Sequence, residues 1–276
     1  MPAKIFFITG TDTGVGKTLL TALLLTHLRR RGHHVLALKP FCSGSRADAK
    51  LLHTLQASLP PGLKTQNSKL KTSLTLDDIN PFHFPEPLAP LVAARKHRRK
   101  ITLRHALSHV ARIVSSINPS IHQSINPTLL IEGAGGLLAP LGEDFNLLDL
   151  LLRFCPPSPL PRPSPQVIVV APNRLGTINH TLLTVRALHA SHSASNFRTQ
   201  TSVDLRPSDP GFRTSVVLMS QHRPDPSASS NPRILSELLA PVPVVSLPFL
   251  GSNCCTAGAV KTLQPKVSRK LLEILS

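Results

Sequence analysis

The stretch Gly10-Thr11-Asp12-Thr13-Gly14-Val15-Gly16-Lys17-Thr18 sets glycines, hydroxyls and a lysine in an order suited to a chain of phosphates. Glycines let successive backbone N–H groups converge on one anion. Lys17 supplies a point charge for the outer phosphates, and the Thr18 hydroxyl can ligate Mg²⁺. Five residues separate Gly10 from Gly16, one more than an ordinary phosphate loop has, and one of them is the acid Asp12. Three further groups stand where such a loop could use them. Lys39 begins KPFCSGS, and a lysine just past a strand can stabilise charge on a transferring phosphoryl group. Asp48 opens an amphipathic segment that runs to Ala57, where an acid could equally serve only the helix dipole. Glu132 ends an apolar run and precedes Gly133-Ala134-Gly135-Gly136, which suits metal binding beside closely packed phosphates. Gly176, Thr177, Ile178 and Asn179 then open a helix whose N-terminus could hold a carboxylate.

Short buried strands and helices must carry these residues. Lys4–Thr9 (KIFFIT) is an apolar run entering a glycine turn, which predicts a strand. Leu19, Leu20, Leu23, Leu24 and Leu28 recur at helical spacing, so 18–31 is expected as a helix ending in basic residues before Gly32. Further strands are expected at 34–38, 128–131, 167–171, 215–219 and 242–245. Helices are expected at 102–116, 179–189, 232–239 and 266–275. Strand–helix alternation of this kind implies an α/β fold, a doubly wound, mainly parallel sheet with helices on both faces, spanning 1–276 as one domain. The proline run 156–165 and the Ser/Thr/Arg/Pro-rich segment of about 191–210 are expected as loop insertions. RKHRRK (95–100) is expected as a solvated connection.

Composition limits the function classes. Lys and Arg total 31 against 14 acids, a net charge of +17, so the field attracts anions in general. Only 4% of residues are aromatic, and the basic-plus-aromatic interleaving of single-strand binders is missing, so specific nucleic acid is not the expected partner. Cys42, Cys155, Cys254 and Cys255 lack zinc-ligand spacing, which suggests a reduced, cytoplasmic protein. LLTALLLTHL is too short to span a bilayer, and no membrane association is expected.

Taken together, GTDTGVGKT, KPFCSGS, NPFHFPEPLAPLVAA, IEGAGGLLAPL and NRLGTINH resemble the dethiobiotin synthetase family in content and order, from Lys4 to about His189, with a weaker match at Leu247-Pro248-Phe249-Leu250. The long loop with Thr-Asp-Thr is itself characteristic of that family. The resemblance implies ATP- and Mg²⁺-dependent conversion of 7,8-diaminopelargonate and CO₂ to dethiobiotin, through a carbamate and a carbamic–phosphoric anhydride, with release of ADP and phosphate. It implies that Thr18, Asp48 and Glu132 bind the metal, and that Lys17, Lys39 and Thr13 serve the chemistry. ATP would meet Gly14, Val15, Gly16, Lys17, Thr18, Leu19, Asp48, Glu132, Gly133, Ala134, Gly135, Pro248, Phe249 and Leu250. Ser43 would line the diamine site, and Gly176, Thr177, Ile178 and Asn179 would hold the substrate carboxylate from the partner subunit of a homodimer with shared active sites.

Two departures stand out against the family. An adenine-reading Asn is usual near the end of the strand expected at 215–219, whereas here the position falls on Met219 or Ser220, with Gln221 next. The acid often found after the Pro-x-Leu motif is missing from GSNCCTAG. Two alternatives remain: a related P-loop amidoligase or ATPase, and a basic, non-enzymatic nucleic-acid-binding protein. The first fits less well because the tail after Ser246 is short for a glutaminase domain and the loop lacks the early lysine of partition ATPases. The second would have no use for Thr18, Asp48 and Glu132 together.

Overall fold

A seven-residue strand, β1 (Lys4–Gly10), is apolar on both sides from Ile5 to Ile8, as a strand covered on both faces must be. The structure is a computed structural model that describes residues 4–58, 74–117, 128–154, 165–190 and 212–275. The insertions expected at 156–165 and 191–210 lie outside the described residues, save Pro165, whose carbonyl accepts the Arg213 N–H at 2.9 Å. In chain order β1 is followed by α1 (Lys17–Arg30), β2 (Val35–Leu38), β3 (Phe41–Ser43), α2 (Ala47–Ala57), α3 (Leu76–Ile79) and β4 (Phe82–Phe84). Then come α4 (Pro90–Lys96), α5 (Leu103–Ile117), β5 (Thr128–Glu132), β6 (Pro140–Gly142), β7 (Phe145–Asn146) and α6 (Leu147–Phe154). The last described elements are β8 (Gln166–Asn173), α7 (Thr177–Ala190), β9 (Arg213–Ser220), α8 (Asn231–Leu238), β10 (Val244–Leu247), α9 (Ala257–Leu263) and α10 (Ser268–Leu275).

Six strands form one parallel sheet in the order β10-β9-β8-β1-β5-β2. The predicted doubly wound sheet is present, and all six predicted strands are in it. Strand β10 begins at Val244, later than expected, because Pro243 has no N–H to give and only its carbonyl joins the ladder, to Val216 at 2.8 Å. The chain runs from β1 out to β2 on one side and later builds β8, β9 and β10 on the other. The crevice for a ligand therefore lies beyond the carboxyl end of β1. Alternate side chains separate two cores. Phe6, Ile8, Ile168, Val170, Val217 and Met219 face α1, α2, α9 and α10. Phe7, Val167, Val169, Val216 and Leu218 face α5, α6, α7 and α8.

The sequence did not predict a third, smaller cluster. Strands β3 and β4 pair in parallel, β6 and β7 form a hairpin, and Phe41, Phe84, Leu141, Phe145 and Leu150 pack between them. The Phe41 and Phe82 rings stack at 4.8 Å, an apolar pairing that holds strands too short to stand on ladder bonds alone. RKHRRK is solvated as expected, all six residues being exposed, yet it carries structure beyond a bare connection. Arg95 and Lys96 lie in the last turn of α4, where Arg95 grips both Glu143 oxygens while Lys96 and His97 share Glu86. The Arg99 guanidinium lies 5.2 Å over the Phe84 ring.

Helix α1 is buried from Lys17 to Leu28, and at its end His27 is only 1% exposed. The Gln264 side-chain carbonyl accepts from Arg30 at 2.8 Å, so its amide must donate to His27 Nδ1, 2.7 Å away. His27 is thereby held neutral, and burial, with Arg31 and His33 nearby, pushes its pKa down. Burial also lowers the pKa of His34, His109 and His189. In the unfolded chain these rings titrate near ~6.5. Below that pH the unfolded chain takes up protons that the folded chain refuses, so this stability is complete above ~6.5 and lost as the pH falls. Melting curves from pH 7.5 to 5.5 should therefore show a falling midpoint, by about 2–4 °C for each kcal/mol lost in a chain of this size. A flat profile would contradict the neutral, buried state of these histidines.

Candidate active site

The loop between β1 and α1 turns on glycines. Gly16 caps α1 with φ 100°, and a Cβ placed on it would lie 3.1 Å from the Met219 side chain. Any side chain here would meet both a left-handed backbone and a packed neighbour. Asp12, the extra acid of the long loop, is used within the loop: its Oδ1 accepts the Thr13 N–H at 2.6 Å and the Thr13 hydroxyl at 3.4 Å. This local turn shapes the loop just after the Thr11 N–H, which donates to the Val170 carbonyl at 3.0 Å. Lys17 folds back to donate to the Asp12 carbonyl at 2.5 Å. Burial, aided by Lys39 and opposed by Glu132, lowers its pKa to about 8, so an arriving phosphate would stabilise a charge that the fold disfavours.

Four residues from four separate segments meet beside the loop. Register pairs Ile8 of β1 with Glu132 at the end of β5, and Leu38 of β2 pairs with Ile131, so Lys39 emerges next to Glu132. Lys39 Nζ donates to Glu132 Oε1 at 2.5 Å, to Asp48 Oδ2 at 2.8 Å and to Thr18 Oγ1 at 3.1 Å. The Thr18 hydroxyl donates to the same Glu132 oxygen at 2.6 Å. Glu132 has no exposed side-chain surface and Lys39 only 8%, whereas Asp48 is 46% exposed and forms the open side. Burial works against the Lys39 charge, but Glu132 and Asp48 outweigh it and hold the pKa above the ordinary lysine value.

These groups suit a divalent cation. Glu132 Oε2 is buried and has no hydrogen-bond partner, which costs free energy unless something binds there. Two carboxylates and one hydroxyl are hard oxygen donors and too few to enclose an ion. This suits a Mg²⁺ that keeps some of its waters and takes phosphate oxygens. Among the described residues no group of three His, Cys, Asp or Glu could hold a metal. The Lys39 ammonium, bonded to Thr18, Asp48 and Glu132 alike, stands for the cation in this arrangement.

The sequence missed a further support. Asn80, 1% exposed, donates to the Lys39 carbonyl at 2.8 Å and the Pro40 carbonyl at 3.3 Å and accepts from Arg46 at 3.0 Å. With the Lys39 N–H bonded to Ile79, it fixes the backbone that presents the lysine. Asn80 falls within NPFHFPEPLAPLVAA, but nothing in the sequence linked it to a turn some forty residues away.

The other candidates sit around this centre. Gly133 follows Glu132 and donates its N–H to Ile8 at 2.9 Å. Ala134 and Gly135 complete a tight turn, with φ 72° at Gly135. Thr13 and Gly14 are exposed at the loop, while Val15 and Leu19 are buried beneath it. Ser43 ends β3 with an unpartnered, buried hydroxyl. Gly176, Thr177, Ile178 and Asn179 open α7, and the buried Thr177 hydroxyl also lacks a partner. The turn before them is held by Asp225, which accepts the Leu175 N–H at 2.8 Å, and by Asn231, which donates to Asn173 at 3.0 Å. Pro248, Phe249 and Leu250 follow β10, and the Phe249 ring meets His222 edge-on at 5.1 Å. Met219 is 7% exposed against Gly16, and Gln221 donates to its carbonyl at 3.0 Å.

The chain resembles known proteins in sequence and in fold. The family described as AAA domain matches residues 4–197. The chain is 39% identical over 186 residues to the ATP-dependent dethiobiotin synthetase BioD of Bacillus subtilis (strain 168), covering 66% of this chain and 67% of that one. It is 31% identical over 249 residues to the protein of the same name from Anaeromyxobacter sp. (strain K), covering 88% and 89%. A third, from Methanocaldococcus jannaschii, is 33% identical over 184 residues, 67% of this chain and 73% of that one. Among solved structures, the MinC:MinD cell division protein complex of Aquifex aeolicus superposes with a TM-score of 0.50 at 12% identity, over 99% of this chain and 93% of that one, a likeness of fold.

Two substitutions test the centre. Lys39→Met leaves Glu132 buried without its cation and should cost ~3–5 kcal/mol in urea unfolding without nucleotide. Adding Glu132→Gln should recover most of that loss. If the two losses simply added, the pair would not be coupled as described. Asn80→Ala strips two carbonyls of their donor and should cost ~1–3 kcal/mol.

Proposed function

The chain belongs to the family of ATP-dependent dethiobiotin synthetases, and from that membership we propose that it is the ATP-dependent ligase that converts 7,8-diaminopelargonate and CO₂ to dethiobiotin. The observation that carries this is the Thr18–Lys39–Asp48–Glu132 cluster beside the phosphate loop. One amine of the substrate takes up CO₂ as a carbamate, and the γ-phosphoryl of ATP passes to it to give a carbamic–phosphoric anhydride. The second amine then closes the ureido ring, and phosphate leaves. No protein nucleophile is needed, so catalysis is positioning and charge stabilisation.

In this proposal the N–H groups of Gly14 to Thr18 and the Lys17 ammonium hold the phosphates. Thr18, Asp48 and Glu132 hold Mg²⁺, which when bound would neutralise charge between the outer phosphates. Lys39 turns from the carboxylates toward the transferring phosphoryl and carbamate oxygens, which it can do because its ammonium is already desolvated and held charged. Thr13 and Ser43 line the diamine. The helix start at Gly176, Thr177, Ile178 and Asn179 receives the substrate carboxylate of the partner subunit. Leu175 and Leu183, 81% and 59% exposed, give that region the apolar surface that a homodimer would cover. The chain is proposed to act as one domain in the cytoplasm. None of the described helices is long and apolar enough to cross a membrane.

Turnover of the purified protein with diaminopelargonate, bicarbonate and Mg²⁺, with ATP, GTP or CTP in parallel, tests the proposal. Dethiobiotin should form, and Lys39→Ala should slow it ~10²–10³-fold or more, as when one transition-state donor is removed. With Met219 or Ser220 where the family usually has Asn, the three nucleotides should differ little. A folded chain that makes no dethiobiotin with any of them would refute the assignment.

A further inference from the structure

Cys254 and Cys255 are adjacent in sequence, and their sulfurs face each other 3.9 Å apart. Both are free thiols; Cys255 is exposed, and Cys254 packs partly against the core beneath α1 and α9. They lie in the segment between Leu250 and α9, and α9 itself rests on α1 and α2, the helices that begin at Lys17 and carry Asp48. Cys254 lies four residues after Leu250, the end of the stretch proposed to meet ATP. Neither sulfur takes part in the proposed reaction.

Geometry decides what such a pair can take. The only cis peptide among the described residues is Ala240–Pro241, so Cys254–Cys255 is trans and its Cα atoms lie ~3.8 Å apart. Disulfides span Cα separations of ~4.4–6.8 Å, so a direct S–S bond does not fit without backbone movement. A single larger atom bonded to both sulfurs does fit. Burial first, then the neighbouring thiol and the two carboxylates, raise the Cys255 pKa to about 11, so it is a protonated thiol at neutral pH. A trivalent arsenical held by both sulfurs adds no net charge, because each S–H proton leaves in the water that is released.

We propose that Cys254 and Cys255 form a bidentate thiol site for trivalent arsenicals, placed so that its occupation excludes the nucleotide. The exclusion, though not the dithiol site itself, rests on the assignment of Pro248, Phe249 and Leu250 to ATP. Two S–H bonds and the arsenic–oxygen bond of an organoarsenic oxide are exchanged for two As–S bonds and one water. Arsenic stays trivalent and no oxidant is needed.

The probe is phenylarsine oxide, read by intact mass on the folded chain and by fluorescence titration with a labelled ATP analogue. One equivalent should add with loss of one water, be removed by 2,3-dimercaptopropanol and survive equimolar monothiol. Cys254→Ser and Cys255→Ser should each abolish this adduct while melting as the unmodified chain does, since neither side chain is deeply buried. ATP with Mg²⁺ should slow labelling at least tenfold, and the adduct should weaken analogue binding at least tenfold. An adduct that persists in either serine variant, or that a monothiol removes, overturns the dithiol site. Labelling unaffected by ATP, in a chain that binds the analogue, overturns the exclusion. A chain that binds no nucleotide at all would refute the ATP assignment and with it the exclusion, leaving the adduct mass to decide the dithiol site.

Discussion

A carboxylate with no exposed surface, Glu132, sits at the carboxyl end of the sheet and must be neutralised by something brought from elsewhere. Leaving it alone would cost several kcal/mol, so the fold is constrained to deliver a cation. It delivers one by register: β2 lies beside β5, and the residue after β2 is Lys39. Thr18 from the start of α1 donates to the same carboxylate, and Asp48 from the first turn of α2 shares the lysine. Four chain segments thus converge on one buried ion pair.

The surroundings serve that centre by limiting its motion. Gly16 bends against Met219 and Gly133 is tied to Ile8, so the two glycine turns close on each other beside β1. Asn80 holds the turn behind Lys39, and the small Phe41–Phe84–Phe145 cluster anchors the excursion that carries Asn80. On the other side, Asp225 and Asn231 fix the entry to α7 through bonds to the Arg174–Leu175 turn. Lys39 and the entry to α7 are thus backed by polar bonds and a packed ring cluster, which is how a loop-borne site keeps its geometry.

Much of this was legible in the sequence, and the reasons are physical. The six central strands are buried on both faces and so appear as uninterrupted apolar runs such as VIVVA and TLLI. Glycine beside lysine and threonine after such a run has few other uses. Of the elements that escaped notice, β3, β4, β6 and β7 are two or three residues long and are set by tertiary packing of phenylalanines, which leaves no periodic trace, while the helices α3, α4, α6 and α9 have no more than eight residues each. Asn80 was invisible for the same reason: its partners are carbonyls some forty residues away, and a lone Asn before a proline reads as a turn. RKHRRK is solvated as it reads, but its ion pairs were not legible, because Glu86 and Glu143 lie outside the run in sequence.

All six sheet strands point the same way, so the two rims of the sheet carry different obligations. The loop, Lys39, Glu132, the α7 entry and Pro248 all lie past the carboxyl ends of strands. Strands β1, β5, β8 and β9 begin on the far rim, at Lys4, Thr128, Gln166 and Arg213, each a strand's length from the reacting groups. A change at those strand starts meets the sheet and not the chemistry, so that rim is where an engineer could attach a reporter or a tether and leave the working rim untouched.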